Sequence, residues 1–106
     1  METGSMSNYM IFVCDRGHVL FGELAGTTQT PTGLEWRIEN GACITRWGTG
    51  GLHKNAGLGL LQRAGPTDKT RLDAEGPVLL HEAQCVKRLP VHRSVAAAFL
   101  ERISNE

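Results

Sequence analysis

The chain has 106 residues, 41% of them hydrophobic, with 11 Lys and Arg balanced by 11 Asp and Glu. That length holds one domain, large enough to bury most of its unfolded surface without staples. A formal net charge of zero removes the basic excess with which generic nucleic-acid binders neutralise phosphates. It also leaves little repulsion between copies, which favours a homo-oligomer.

Glycine, at 13 residues, points to turns and irregular loops rather than long helices. The three cysteines, Cys14, Cys43 and Cys85, are odd in number and form no CxxC pair. That pattern suits reduced thiols in a cytoplasm better than a secreted disulfide framework or a zinc site, whose ligands usually come in close pairs. No stretch approaches the roughly 20 apolar residues that a membrane crossing needs, and the N-terminus lacks the basic start and apolar run of a signal peptide. Residues 1–5 (Met-Glu-Thr-Gly-Ser) read as a short cloning leader, which makes 6–106 the domain.

In chain order, Tyr9 to Cys14 is a continuous apolar run of a strand. Asp15-Arg16-Gly17 suits a tight turn, and His18 to Leu24 returns as the second strand of a hairpin. Gly26 to Gly33 reads as a polar loop. Leu34, Trp36 and Ile38 alternate with Glu35 and Arg37, the pattern of a half-buried strand. Glu39-Asn40-Gly41 then supplies a hairpin turn into a strand from Ala42 to Trp47. Cys43 and Thr45 would share one face of it, and Ile44 and Arg46 the other.

Gly48 to Gly59 carries too much glycine for a regular element and reads as a loop. Leu58 to Arg63 fits either a helical turn or a short strand. Gly65-Pro66-Thr67-Asp68 is a turn, Thr70 to Leu72 a brief strand, and Asp73 to Gly76 a turn again. Pro77 to Leu89 is the longest strand candidate, but neither of its faces is cleanly apolar, so it should bulge or bend; Pro90 ends it. Val91, Val95, Phe99 and Ile103 recur every fourth residue, flanked by Ala96 and Leu100, and predict a helix over 92–103. The sum is an α+β domain: a small bent antiparallel sheet or SH3-like barrel of five or six strands, closed by one C-terminal helix.

The glycine-rich stretch invites a phosphate-loop reading. A Walker A loop needs Gly before its lysine, but Lys54 follows His53. A dinucleotide fingerprint finds its first two glycines in Gly48 and Gly50, but His53 stands where the third belongs. Both fail. The same region holds Arg46, Lys54, Arg63, Lys69 and Arg71, opposed only by Asp68. A glycine loop flanked by cations can form an anion-binding nest; the plainer alternative is solvated charge around a connector. His18, His53, His81 and His92 form no metal or catalytic pattern, and no Ser or Cys sits in a nucleophile elbow. The carboxylates are dispersed. Trp36 and Trp47, on facing strands of the Asn40-Gly41 hairpin, would either stack in the core or leave one ring exposed as an interface anchor.

The stretch Gly57-Leu58-Gly59-Leu60, Gly65-Pro66-Thr67 and Arg71-Leu72, set after the Cys43/Trp47 strand and before a long strand and final helix, resembles a family of small proteins encoded by bacteriophages and prophages. The family carries no established catalytic residues. The resemblance implies a non-enzymatic accessory protein that binds a component of the bacterial host cell or a small molecule.

These readings predict a non-enzymatic, phage-type accessory protein of the host cytoplasm, without cofactor, metal or catalytic residues, that engages a host protein. Its binding surface would involve Arg46, Trp47, Gly50, His53, Lys54, Arg63 and Arg71. The alternative is sequestration of an anionic metabolite or nucleotide, with Arg46, Lys54, Arg63 or Arg71 as phosphate partners. A third reading, a small-barrel nucleic-acid module, would need a basic face with exposed aromatic rings.

Overall fold

The computed structural model describes residues 6–48 and 58–105. Within them the chain forms β1 (Met6–Cys14), β2 (Val19–Thr30), β3 (Gly33–Arg46), α1 (Leu58–Ala64), β4 (Arg71–Glu75), β5 (Val78–His81), β6 (Cys85–His92) and α2 (Arg93–Ser104). All pairings are antiparallel, in the order β4-β3-β2-β1-β6, with β5 pairing the first half of β3. The sheet is bent and stays open, so the barrel alternative gives way to the bent-sheet one. Among the described residues no helix is long and apolar enough to cross a membrane.

The first hairpin forms as its sequence predicts, turning through a short 3-10 segment at Asp15–Gly17. Its second strand is longer than predicted. Gly26 to Gly33 is no loop: β2 continues to Thr30, Thr27 pairs opposite Trp36, and the chain reverses only at Pro31-Thr32. Thr27, Thr28 and Thr30 favour extended backbone because branching at Cβ suits a strand. Their polarity hides the strand from a reading based on apolar alternation. The Thr30 hydroxyl donates to the Gly33 carbonyl at 2.8 Å and holds the reversal.

Asn40-Gly41 is likewise no hairpin turn, since β3 runs through it. Phe21 pairs with Ala42 but Glu23 pairs with Glu39, so β3 carries one extra residue there. Asn40 takes φ of 54°, the left-handed conformation that asparagine tolerates in a bulge as readily as in a turn. An extra residue reverses the side-to-side alternation of everything after it. Trp36 and Ile38 therefore join one cluster, with Phe12, Cys14 and Leu80. Ala42 and Ile44 join the other, with Ile11, Phe21, Leu72 and Phe99.

The second cluster lies under the helices. α2 begins at Arg93 because His92 caps it, its ring nitrogen accepting from the Ser94 backbone N–H at 3.1 Å. Ala96 and Phe99 are its buried residues, with Val95, Leu100 and Ile103 packed alongside. Phe99 stacks on Phe21 with ring centroids 4.3 Å apart. The segment that fits either helix or strand by sequence is α1, which buries Leu61 in the same cluster.

Among the described residues no α-helix contributes to the first cluster; the sheet curls over it. Phe12 meets Trp36 at a centroid distance of 6.0 Å, and the Arg88 guanidinium of β6 sits 4.7 Å from the Trp36 ring centroid. In a flat sheet β6 and β3 would be about 14 Å apart, three strand spacings. The curl and the long arginine side chain bridge that gap, and the contact is a cation–π one.

The predicted Pro77–Leu89 strand is two. β5 pairs with β3, a 3-10 turn at Glu82–Gln84 redirects the chain, and β6 pairs with β1. Pro90 does not end β6; it pairs opposite Met10, which proline tolerates on an edge strand where its missing N–H would face away from the ladder. Its carbonyl accepts from Gln62 Nε2 of α1 at 2.7 Å.

A Cβ at Gly41 would meet the Phe21 carbonyl oxygen at 2.2 Å, whereas one at Gly59 meets nothing within 4 Å. Gly41→Ala is expected to lower unfolding stability by about 2–3 kcal/mol, as overpacking against fixed backbone does. Gly59→Ala is expected to be neutral or stabilising by up to about 1 kcal/mol. Urea unfolding of the two variants, compared at equal m-value, checks both.

Candidate functional site

At the end of β3 the chain leaves the sheet through Trp47 and Gly48 and meets the turn that leads into β4. A set of threonine hydrogen bonds joins the two. Thr70, only 1% exposed, donates its hydroxyl to the Trp47 carbonyl at 2.7 Å and accepts from the Thr67 backbone N–H at 2.8 Å. Thr67 donates its own hydroxyl to the Gly48 carbonyl at 2.8 Å and accepts from the Lys69 N–H at 3.1 Å. Gly48 has φ of 71° and packs where a Cβ would come within 2.4 Å of the Thr70 nitrogen, so glycine is required here. From α2, Arg102 reaches across and donates to the Thr67 carbonyl at 2.5 Å and to the Thr70 carbonyl. Strand end, turn and helix are thereby locked together.

This frame presents cations. A register irregularity between Ile44 and Arg46 sets Arg46 directly opposite Arg71, the neighbour of buried Leu72. Arg46 therefore does not follow Ile44 onto the face under the helices, as simple alternation predicts. Arg46, Lys69 and Arg71 are all exposed. Among the described residues none of these three side chains makes a hydrogen bond or an ion pair; the ion pair of Arg37 with Glu39, at 2.7 Å, lies elsewhere on β3. Like charges directly opposite across a strand pair repel and cost stability.

Two hollows open on this surface. One, of about 370 Å³, is lined by Arg46, Asp68, Lys69, Thr70, Arg71 and Arg102. The other, of about 410 Å³, is lined by Arg46, Trp47, Gly48 and Lys69. They share Arg46 and Lys69, and Trp47 is 40% exposed.

Of the residues singled out by sequence, the structure brings Arg46, Trp47 and Arg71 together. Gly50, His53 and Lys54 lie outside the described residues, as do most of the Gly48–Gly59 loop and residues 1–5. Arg63 is elsewhere: it sits on α1, donates to the Gly59 carbonyl at 3.1 Å, and borders a separate hollow with Gln62, Pro90 and His92. Trp36 and Trp47 do not face each other across a hairpin: Trp36 lies buried within β3, and Trp47 follows directly after the end of β3, exposed. Sequence reasoning assigned no role to Arg102. The single signal for it is a cation three residues after Phe99, beside the apolar stripe of the last helix.

His81 and His92 have local partners. The His92 ring nitrogen that caps α2 also lies 2.8 Å from the Ser94 hydroxyl, and His81 caps the 3-10 turn through Ala83 N–H at 3.0 Å. Cys14 pairs opposite Cys85 across β1 and β6, a proximity that spacing along the chain hides. Burial first, then the neighbouring Cys85, Asp15 and Cys43, pushes the Cys14 thiol up to about 11. Burial also raises Cys43 and Cys85. A thiol held in its protonated form is a poor nucleophile. Among the described residues no three His, Cys, Asp or Glu side chains are grouped to hold a metal ion.

Comparison of the chain with protein-family models, curated proteins and solved structures finds no match.

Thr70→Val keeps the shape of the side chain but strands the Trp47 carbonyl and the Thr67 N–H. It is expected to cost about 2 kcal/mol, measured by urea unfolding. The raised Cys14 thiol predicts a pH effect of definite sign. Above about pH 9 the unfolded chain's thiol loses its proton while the folded one keeps it up to about pH 11, so stability falls as pH rises through that window and levels off beyond it. Cys14→Ala is expected to make the fall shallower in unfolding midpoints taken from pH 8 to 11.

Proposed function

We propose that this protein is a non-enzymatic binding protein that captures an anionic group at the Arg46, Lys69 and Arg71 end of its sheet. The observation that carries the reading is Arg46 standing directly opposite Arg71, with no carboxylate paired to either among the described residues. A bound anion relieves that repulsion and gains charge-assisted hydrogen bonds from both guanidinium groups. The resemblance of the Gly57–Leu60, Gly65–Thr67 and Arg71–Leu72 stretch to phage and prophage proteins supports a ligand borne by a component of the bacterial host, met in its cytoplasm. Zero net charge weighs against a polynucleotide tracked along a basic face.

Arg71→Glu tests this from both sides. It places a carboxylate opposite Arg46, so the free protein is expected to gain about 0.5–1 kcal/mol. At the same time it should lose stabilisation by anions. Inorganic phosphate and pyrophosphate are expected to raise the wild-type Tm by mass action and to leave that of the variant unmoved. A wild-type Tm that stays constant across the soluble range of both anions overturns the reading.

A further inference from the structure

The cationic hollow and the tryptophan hollow are neighbours that share two side chains, and together they specify more than a charge. Arg46, Lys69 and Arg71 converge on one hollow of about 370 Å³. A carboxylate offers one negative charge and two oxygens. A phosphate monoester offers nearly two charges and three strong acceptor oxygens, which matches two guanidinium groups and an ammonium without leaving a cation idle.

The adjoining hollow of about 410 Å³ has the Trp47 indole for a wall. Trp47 is 40% exposed, one of the exposed large hydrophobic residues among the described residues with Leu79 and Val86. The backbone beneath it is pinned, Trp47 through Thr70 and Gly48 through Thr67. An exposed aromatic side chain on a pinned backbone beside a cation cluster can stack a planar ring. Asp68 lines the first hollow and makes no ion pair with the cations around it, which leaves its carboxylate as an acceptor for hydroxyl groups.

We infer that the ligand is a nucleotide, its phosphate on Arg46, Lys69 and Arg71, its sugar hydroxyls near Asp68 and its base stacked on Trp47. This rests on the anion-binding reading and deepens it. Hollows of this size belong to the small-molecule range. Among the described residues one exposed aromatic ring stands beside them, which suits one base, where single-strand binders stack successive bases on successive rings.

The test uses the full chain in calorimetric and tryptophan-fluorescence titrations. The probes are adenosine monophosphate, ribose 5-phosphate, adenosine and a short single-stranded oligonucleotide. Adenosine monophosphate is expected to bind roughly tenfold tighter than ribose 5-phosphate, the contribution of one stacked base, and to quench tryptophan emission. Trp47→Leu should erase both the advantage and the quenching while ribose 5-phosphate still binds. Arg71→Gln should weaken both phosphates. Equal affinity for adenosine monophosphate and ribose 5-phosphate overturns the nucleotide and leaves the anion site standing. Failure of every phosphate to bind overturns both. An oligonucleotide that binds far tighter than the mononucleotide, with steep salt dependence, replaces the mononucleotide by a single strand and also overturns the inference.

Discussion

A sheet that must bury apolar side chains on both faces, with helices available for only one of them, needs some strand to change allegiance along its length. In this protein β3 does so, through the extra residue at Asn40-Gly41. Before it, Trp36 and Ile38 point into the concave face; after it, Ala42 and Ile44 point under α1 and α2. Strict alternation would have put all four on one side, overfilling that face and leaving the other thin. The close approach that Gly41 makes to the Phe21 carbonyl is the local condition for this, because no residue with a Cβ fits there without pushing the two strands apart.

The two cores that result are built differently. The helix-side core is interdigitated packing, with Phe99 stacked on Phe21 and Phe21 on Tyr9. The concave core is closed by curvature, and the Arg88–Trp36 contact spans strands that are neighbours only because the sheet bends. β5 supports the curl by pairing with the first half of β3 and adding Leu80 to that core.

The candidate site inherits its rigidity from the helix-side core. α2 is anchored by Phe99, and one turn further on Arg102 holds the carbonyls of the turn before β4. That turn, through Thr67 and Thr70, holds the carbonyls of Trp47 and Gly48. Arg46, Lys69 and Arg71 therefore project from a braced frame. The buried polar groups of the frame satisfy one another, and the exposed charges do not. Satisfied buried networks rigidify, whereas opposed like charges store repulsion that a ligand can relieve.

Sequence by itself determined the parts whose physics is local. The Tyr9–Cys14 strand and its Asp15–Gly17 turn, the alternation of Leu34, Trp36 and Ile38, and the fourfold stripe of α2 all follow from side-chain periodicity and turn chemistry among near neighbours. The cations of the candidate site were also legible as charge without a counter-charge nearby. Tertiary structure decided the rest. Asn-Gly permits a left-handed residue, and that conformation serves a bulge or a turn equally; only pairing against β2 selects the bulge. The Thr-rich end of β2 has no apolar face to announce it and becomes a strand because β3 supplies its hydrogen bonds. The run from Pro77 to Leu89 divides because its halves pair with different strands. Arg46 meets Arg71, Arg102 reaches the Thr67–Thr70 turn, and Cys14 faces Cys85 through contacts between residues far apart in the chain. Such pairings depend on which strand lies beside which, and that is settled by the burial of two whole faces at once rather than by any segment alone.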